Sequence, residues 1–162
     1  MQNIRIRGLI SFSIVLIITV IDYYSKQYVQ LFDQNYIVNS FVTIHKINNY
    51  GIAFSLFDNL GHGGQLVLNI VIFFILTFIA KELLSSLLSD GSYSIGLSLI
   101  LGGGLANFID RFDDSSVTDF IILHYEDIYF PAIFNIADLS ISIGAILTII
   151  YFMSRKDEIY QI

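Results

Sequence analysis

The stretch AIFNIADLSISIGAILTIIYFM, Ala132 to Met153, holds one carboxylate and no basic side chain. A helix of about 20 apolar residues crosses a hydrocarbon core about 30 Å thick, so this stretch predicts a membrane span. An isolated acid inside such a span costs several kcal/mol by insertion scales and marks a candidate functional position. Working outward, three more stretches have the same character: about Leu9 to Tyr28, Leu66 to Leu84 and Tyr93 to Phe112. Four spans with short connections account for a chain of 162 residues that is 55% hydrophobic and 14% charged, with a mean hydropathy of +0.71. The expected fold is a mostly α membrane protein of four transmembrane helices, forming a single integral membrane domain over residues 1–162.

The segments between the spans divide unequally. Ser85 to Ser92 is a short polar turn, whereas Gln30 to Gly64 is long. Within the long segment, Ile37 to Ile47 is rich in Val, Ile, Thr and Phe, Asn48-Asn49-Tyr50-Gly51 punctuates, and Ile52-Ala53-Phe54-Ser55-Leu56-Phe57 follows. That pattern predicts a small extracytoplasmic β element between the first and second helices. Pro131 stands where the start of the fourth helix would tolerate it. No repeat or low-complexity linker divides the chain.

Orientation follows from the basic residues. Arg5, Arg7, Lys81, Arg155 and Lys156 lie toward one side, and Lys26, Lys46 and Arg111 toward the other. The positive-inside rule then places both termini in the cytoplasm. Ten of the fourteen acids fall at or beyond the outer ends of the spans under that topology. Arg5 and Arg7 ahead of an apolar run resemble a signal peptide, but no small-residue cleavage site follows, so the first span is expected to be retained.

Composition removes several function classes. There is no cysteine, hence no disulfide, thiolate metal site or thiol nucleophile. Eight scattered Lys and Arg against a net charge of −6 argue against nucleic acid as a partner. His45, His62 and His124 have no ligand spacing and HExxH is absent, so no metal site is expected. Ser25 and Lys26 are adjacent on a helix and do not face each other as a nucleophilic pair would.

Aspartates remain. Asp138 opens the fourth span in Phe134-Asn135-Ile136-Ala137-Asp138, where catalysis competes with a helix-start acid favoured by the macrodipole. Asp110 and Arg111 end the third span after Gly102-Gly103-Gly104, and an ion pair explains them as well as chemistry does. Asp22 and Lys26 have the i,i+4 spacing of a stabilising pair. Asp119, in Val117-Thr118-Asp119-Phe120 after a very polar turn, taken alone is a solvated loop acid. The glycines allow close helix approach, and Asn107 and Asn135 each precede an aspartate by three residues.

Five segments in order, Asp22-Tyr23-Tyr24-Ser25-Lys26, Asn49-Tyr50-Gly51-Ile52-Ala53-Phe54, Asn107-Phe108-Ile109-Asp110-Arg111, Val117-Thr118-Asp119-Phe120 and Phe134-Asn135-Ile136-Ala137-Asp138, resemble the lipoprotein signal peptidase (signal peptidase II) family. The resemblance implies an intramembrane aspartyl endopeptidase with Asp119 and Asp138 as the catalytic pair. It implies a bacterial enzyme, a multi-pass protein of the cytoplasmic (inner) membrane, with its active site near the outer leaflet and acting as a monomer among membrane lipid. The implied substrate is the signal peptide of a prolipoprotein whose cysteine carries a diacylglyceryl group, cut just before that cysteine, with no cofactor. Asp22, Lys26, Asn49, Gly51, Asn107, Arg111, Asn135 and Ala137 would line or shape the substrate groove. The chain departs from the family in Gly104-Leu105-Ala106, where alanine, leucine and glycine are usual, and in Leu139, where a small polar residue is common.

Three other readings compete. A non-enzymatic lipid-binding or assembly protein would use the same carboxylates as structure. A proton-coupled carrier lacks paired broken helices, and the presenilin and prepilin peptidases carry a Gly-x-Gly-Asp segment that is absent here.

Overall fold

The computed structural model describes residues 2–32, 34–51, 61–89 and 91–159. The segment Ile52 to Phe57, assigned above to the β element, lies outside them. Among these residues four helices are long and apolar enough to cross a membrane: α1 (Gln2–Val29), α2 (His62–Leu88), α3 (Ser94–Asp114) and α4 (Ile136–Ile159). At 1.5 Å per residue the shortest, α3, is about 32 Å long and spans the hydrocarbon core.

Hydropathy and burial run in opposite directions across the bundle. The apolar windows of α1, α2 and α4 have mean hydropathies of 2.0 to 2.2 and are mostly exposed; that of α3 is 1.2 and is the most buried, at 44%. Leu9, Phe74, Phe112 and Met153 stand open on the outer surface. Water would penalise such a surface, whereas lipid is as apolar as these side chains, so the helix with the most polar and small residues takes the centre.

Three consecutive glycines make α3 the hub. A Cβ at Gly102 would press on the backbone of Val15 in α1, one at Gly103 would overlap the carbonyl of Ala137 in α4, and one at Gly104 would run into Leu76 of α2. Successive helical residues point about 100° apart, so each glycine admits a different neighbour. Gly96 and Gly144 repeat the device lower on the α3/α4 seam, where either Cβ would meet the opposing backbone.

Two further pairs of strands complete the fold: β1 (Tyr36–Asn39) and β2 (Val42–Asn49) between α1 and α2, β3 (Val117–Tyr125) and β4 (Ile128–Phe134) between α3 and α4. They form one antiparallel sheet in the order β1-β2-β3-β4. The β element expected from the first connection is present, but half of the sheet comes from the second. Asp119 is therefore a buried strand residue opposite Ile47, not a solvated loop acid. Pro131 is likewise in β4, and α4 begins five residues later; β4 is an edge strand, where a missing N–H is tolerated. Helix α1 starts well before Leu9, and α2 runs on to Leu88, shortening the turn expected over Ser85 to Ser92. Hydropathy marks where hydrocarbon ends, and the helical hydrogen bonds continue beyond it.

Candidate active site

The C-terminal ends of α1 and α3, the N-terminal end of α4, the end of β2 and the start of β3 meet at one end of the bundle. Gly103 brings α3 against Ala137, so Asn107, one turn further along α3, arrives beside the first turn of α4.

That first turn is held by reciprocal capping. Asn135 precedes α4, and its Oδ1 accepts from the N–H of Asp138 at 2.9 Å, while Asp138 Oδ2 accepts from the N–H of Asn135 at 3.2 Å. This is a capping box built from Asn and Asp, satisfying two backbone donors that would otherwise be orphaned. The N–H of Ala137 between them donates to Asp22 Oδ1 of α1 at 2.8 Å. The three-residue spacing from Asn135 to Asp138 thus acts across the helix boundary.

Behind this turn lies a buried charge cluster. Lys26 Nζ pairs with Asp22 Oδ2 at 2.5 Å and Asp110 Oδ2 at 2.7 Å, and donates to Asn107 Oδ1 at 2.9 Å. The three donors of the ammonium are all used. Such a buried cluster repays its desolvation only when its partners are complete.

In front lies a cleft of about 570 Å³, lined among others by Asn49, Asn107, Arg111, Asp119 and Asp138, with Ile72, Phe130, Phe134, Leu139 and Ile141 as apolar walls. Such a volume accommodates a ligand or peptide segment of several residues' side chains. Asp119 Oδ1 accepts from Asn135 Nδ2 at 2.7 Å and its Oδ2 from Asn49 Nδ2 at 2.9 Å. Asp138 Oδ1 accepts from Asn107 Nδ2 at 2.8 Å. Asn135 thus touches both aspartates. Arg111 donates through Nη2 to the carbonyl of Gly51 at 2.6 Å and through Nη1 to that of Asn107 at 3.2 Å. Gly51 in turn donates its N–H to Asn49 Oδ1, which leaves the Asn49 amide nitrogen facing Asp119.

Burial pushes the Asp119 carboxyl up to about 6, against hydrogen bonds from Asn49 and Asn135 and the charge of Lys26, while the charge of Asp138 pushes in the same direction as burial. A strand carboxyl of this kind holds a proton close to neutral pH, the property a two-carboxyl site needs.

The ten residues singled out from the sequence therefore converge on one end of the molecule but in two layers. Asn49, Asn107, Arg111, Asp119 and Asp138 line the cleft. Asp22, Lys26, Asn135 and Ala137 are almost wholly buried behind it, and Gly51 anchors Arg111. Asp110, left outside that set, is the third member of the charge cluster. Its signal was the i,i+3 spacing from Asn107: both side chains meet the same lysine.

Residues 14–154 match the family model described as Signal peptidase (SPase) II. A lipoprotein signal peptidase of Wigglesworthia glossinidia brevipalpis is 36% identical over 142 residues, covering 84% of this chain and 89% of that protein. One from Coxiella burnetii is 43% identical over 106 residues, 65% of this chain and 64% of the relative. One from Bartonella tribocorum is 36% identical over 112 residues, covering 68% and 64%. The chain spans somewhat less than two thirds of the length of several of the curated relatives it matches. A solved bacterial membrane enzyme, determined by the in meso method, superposes with a TM-score of 0.73 at 26% identity, covering 91% of this chain and 90% of the other. A second gives 0.68 at 28% identity over 88% and 91%. With the family model matching residues 14–154, four helices apolar enough to cross a membrane and described residues of all five motifs gathered at one end of the bundle, the chain belongs to the signal peptidase II family.

Proposed function

We propose that this chain is an aspartyl endopeptidase that removes the signal peptide from diacylglyceryl-modified prolipoproteins, cutting before the lipid-bearing cysteine, with Asp119 and Asp138 as the catalytic pair. The observation that carries this reading is that both aspartates line one cleft and share Asn135 as a hydrogen-bonding partner. The relatives bear the name lipoprotein signal peptidase, which supports the substrate class.

The chemistry follows from two nearby carboxyls that hold one proton between them. The ionised carboxylate takes a proton from water as the water oxygen attacks the scissile carbonyl carbon. The neutral carboxyl gives its proton to the carbonyl oxygen, forming a gem-diol. As the gem-diol collapses and the C–N bond breaks, one of its hydroxyls returns a proton to the ionised carboxylate, while the carboxyl that took the water's proton gives it to the leaving nitrogen, which restores one proton to the pair. Arg111, with Asn49 and Asn107, stands where it would hold the peptide across the cleft. The apolar walls suit a signal peptide, and the exposed apolar faces leave the lipid-bearing residue free to remain in the membrane.

The working location is the bacterial cytoplasmic membrane, with both termini cytoplasmic, the cleft near the outer leaflet and a monomer as the active unit. The test is cleavage of a diacylglyceryl-modified prolipoprotein peptide by purified protein in lipid nanodiscs. The parent should cleave, and Asp119→Asn and Asp138→Asn should each abolish cleavage. Turnover by either variant overturns the dyad.

A further inference from the structure

Asn107 occupies a junction between the two layers. Its Oδ1 faces Lys26 at 2.9 Å and Asn135 Nδ2 at 3.2 Å, and its Nδ2 faces Asp138 Oδ1 at 2.8 Å. A carboxamide offers an acceptor at one end and donors at the other, and it is reversed by a half turn about one bond. Which end faces Asp138 decides whether that carboxylate is met by a donor or by another oxygen. An ammonium has no acceptor, so Lys26 admits only one orientation.

We infer that Lys26 is a positioning residue for catalysis, which locks the Asn107 amide so that its N–H₂ faces Asp138 and holds that carboxyl in place to act on water. The inference rests on the dyad proposed above. Asn135 alone does not supply the lock. One of its amide hydrogens is committed to Asp119 at 2.7 Å, and the other has the carbonyl of Thr118 at 3.4 Å as an alternative to Asn107. Were Lys26 absent, Asn107 could reverse and that hydrogen would turn to Thr118. Asp22 and Asp110 hold Lys26 in place from either side. They keep its Nζ at the one point from which it reaches Asn107.

The charged groups around Asp138 make the sign of the effect diagnostic. Asp119 approaches from β3, Arg111 and Asp110 from α3, and Asp22 and Lys26 from α1. Removing Asp22, Lys26 and Asp110 together takes away a net charge of −1. Coulomb's law alone then makes an anion at the dyad easier to form and moves the acid limb of the pH–rate profile down. Loss of the amide orientation replaces a donor by an acceptor and moves the same limb up.

The experiment compares pH profiles of kcat/KM in nanodiscs for the parent, Lys26→Met, Lys26→Arg and the neutral combination Asp22→Asn, Lys26→Met, Asp110→Leu, in which the carboxamide introduced at position 22 retains an oxygen for the Ala137 N–H. The acid limb should rise by about one pH unit in Lys26→Met and in the combination, the size expected for exchanging a hydrogen bond to a charged group. Lys26→Arg, again donor-only, should bring it back near the parent position. A combination variant that folds with its acid limb unmoved or lowered overturns the inference, and so does one that fails to fold, since the cluster would then be purely structural. Failure of the dyad itself is distinguishable, because it appears as cleavage by Asp138→Asn or as no cleavage by the parent.

Discussion

Two pairs of carboxylates, each with one buried and one half-buried member, stand either side of Asn107 and are treated differently. Asp22 and Asp110 flank the ammonium of Lys26 and are neutralised by it. Asp119 and Asp138 face the cleft and are met chiefly by the amides of Asn49, Asn107 and Asn135. A cation seated between two carboxylates ties α1 to α3, which suits a structural joint. Amides orient a carboxylate and still let it gain and lose a proton, which suits chemistry. On the proposed function, the same residue type is divided between scaffold and reaction by the partner it is given.

The sharpest way to break this contrast is at the cleft. Asp119→Asn or Asp138→Asn should reduce turnover more than about a thousandfold, as for residues that act as a unit, with thermal stability in detergent lowered by about 1–3 kcal/mol, because an asparagine keeps only one of the two hydrogen bonds that each carboxylate accepts. The opposite result is expected on the other side. Lys26→Met strands two buried carboxylates and should cost about 3–5 kcal/mol of stability, read as a loss of melting temperature, and neutralising Asp22 and Asp110 as well should recover most of it. If Lys26→Met melts like the parent, the cluster is not a structural joint.

A subtler cut separates the layers mechanically. Gly103→Ala puts a methyl against the Ala137 carbonyl and should cost about 1–3 kcal/mol by overpacking. It should also lower kcat/KM, because the start of α4 must move away from Asn107. Unchanged activity would show that the dyad tolerates that displacement. The smallest effect is the pH response. Asp119, raised to about 6, is neutral below that value and ionised above it, and the monoprotonated pair is the reactive form. In the free enzyme kcat/KM should therefore fall as pH rises through about 6, by about tenfold per unit beyond it. A profile flat from pH 5 to 8 would place the shared proton elsewhere.

The sequence made the four spans legible because lipid demands length and apolarity, and both are countable. It also exposed Asp22, Asn107, Asp110, Asn135 and Asp138 as polar residues at the membrane edge. Asp119 was not legible without the family resemblance. Strand β3 is buried on both sides near its start, so the alternation that betrays a half-buried strand is missing where it was needed. The start of α4 was misplaced because hydropathy rises at Ala132, although Asn135 and Asp138 have the three-residue spacing of a cap. The contact between Asp22 and the Ala137 N–H spans 115 residues, and no local pattern encodes it.

That long contact bears on the order in which the protein is made. Helix α1 enters the membrane while α4 is still unsynthesised, so Asp22 has neither Ala137 nor Asp110 and Asn107 around it. One turn away on the same helix it does have Lys26, so the first span travels with its own counterion and can be inserted without a bare charge. When α4 emerges, Asp22 has a second oxygen to offer its opening turn, and the last helix is seated by a residue that was in place from the beginning.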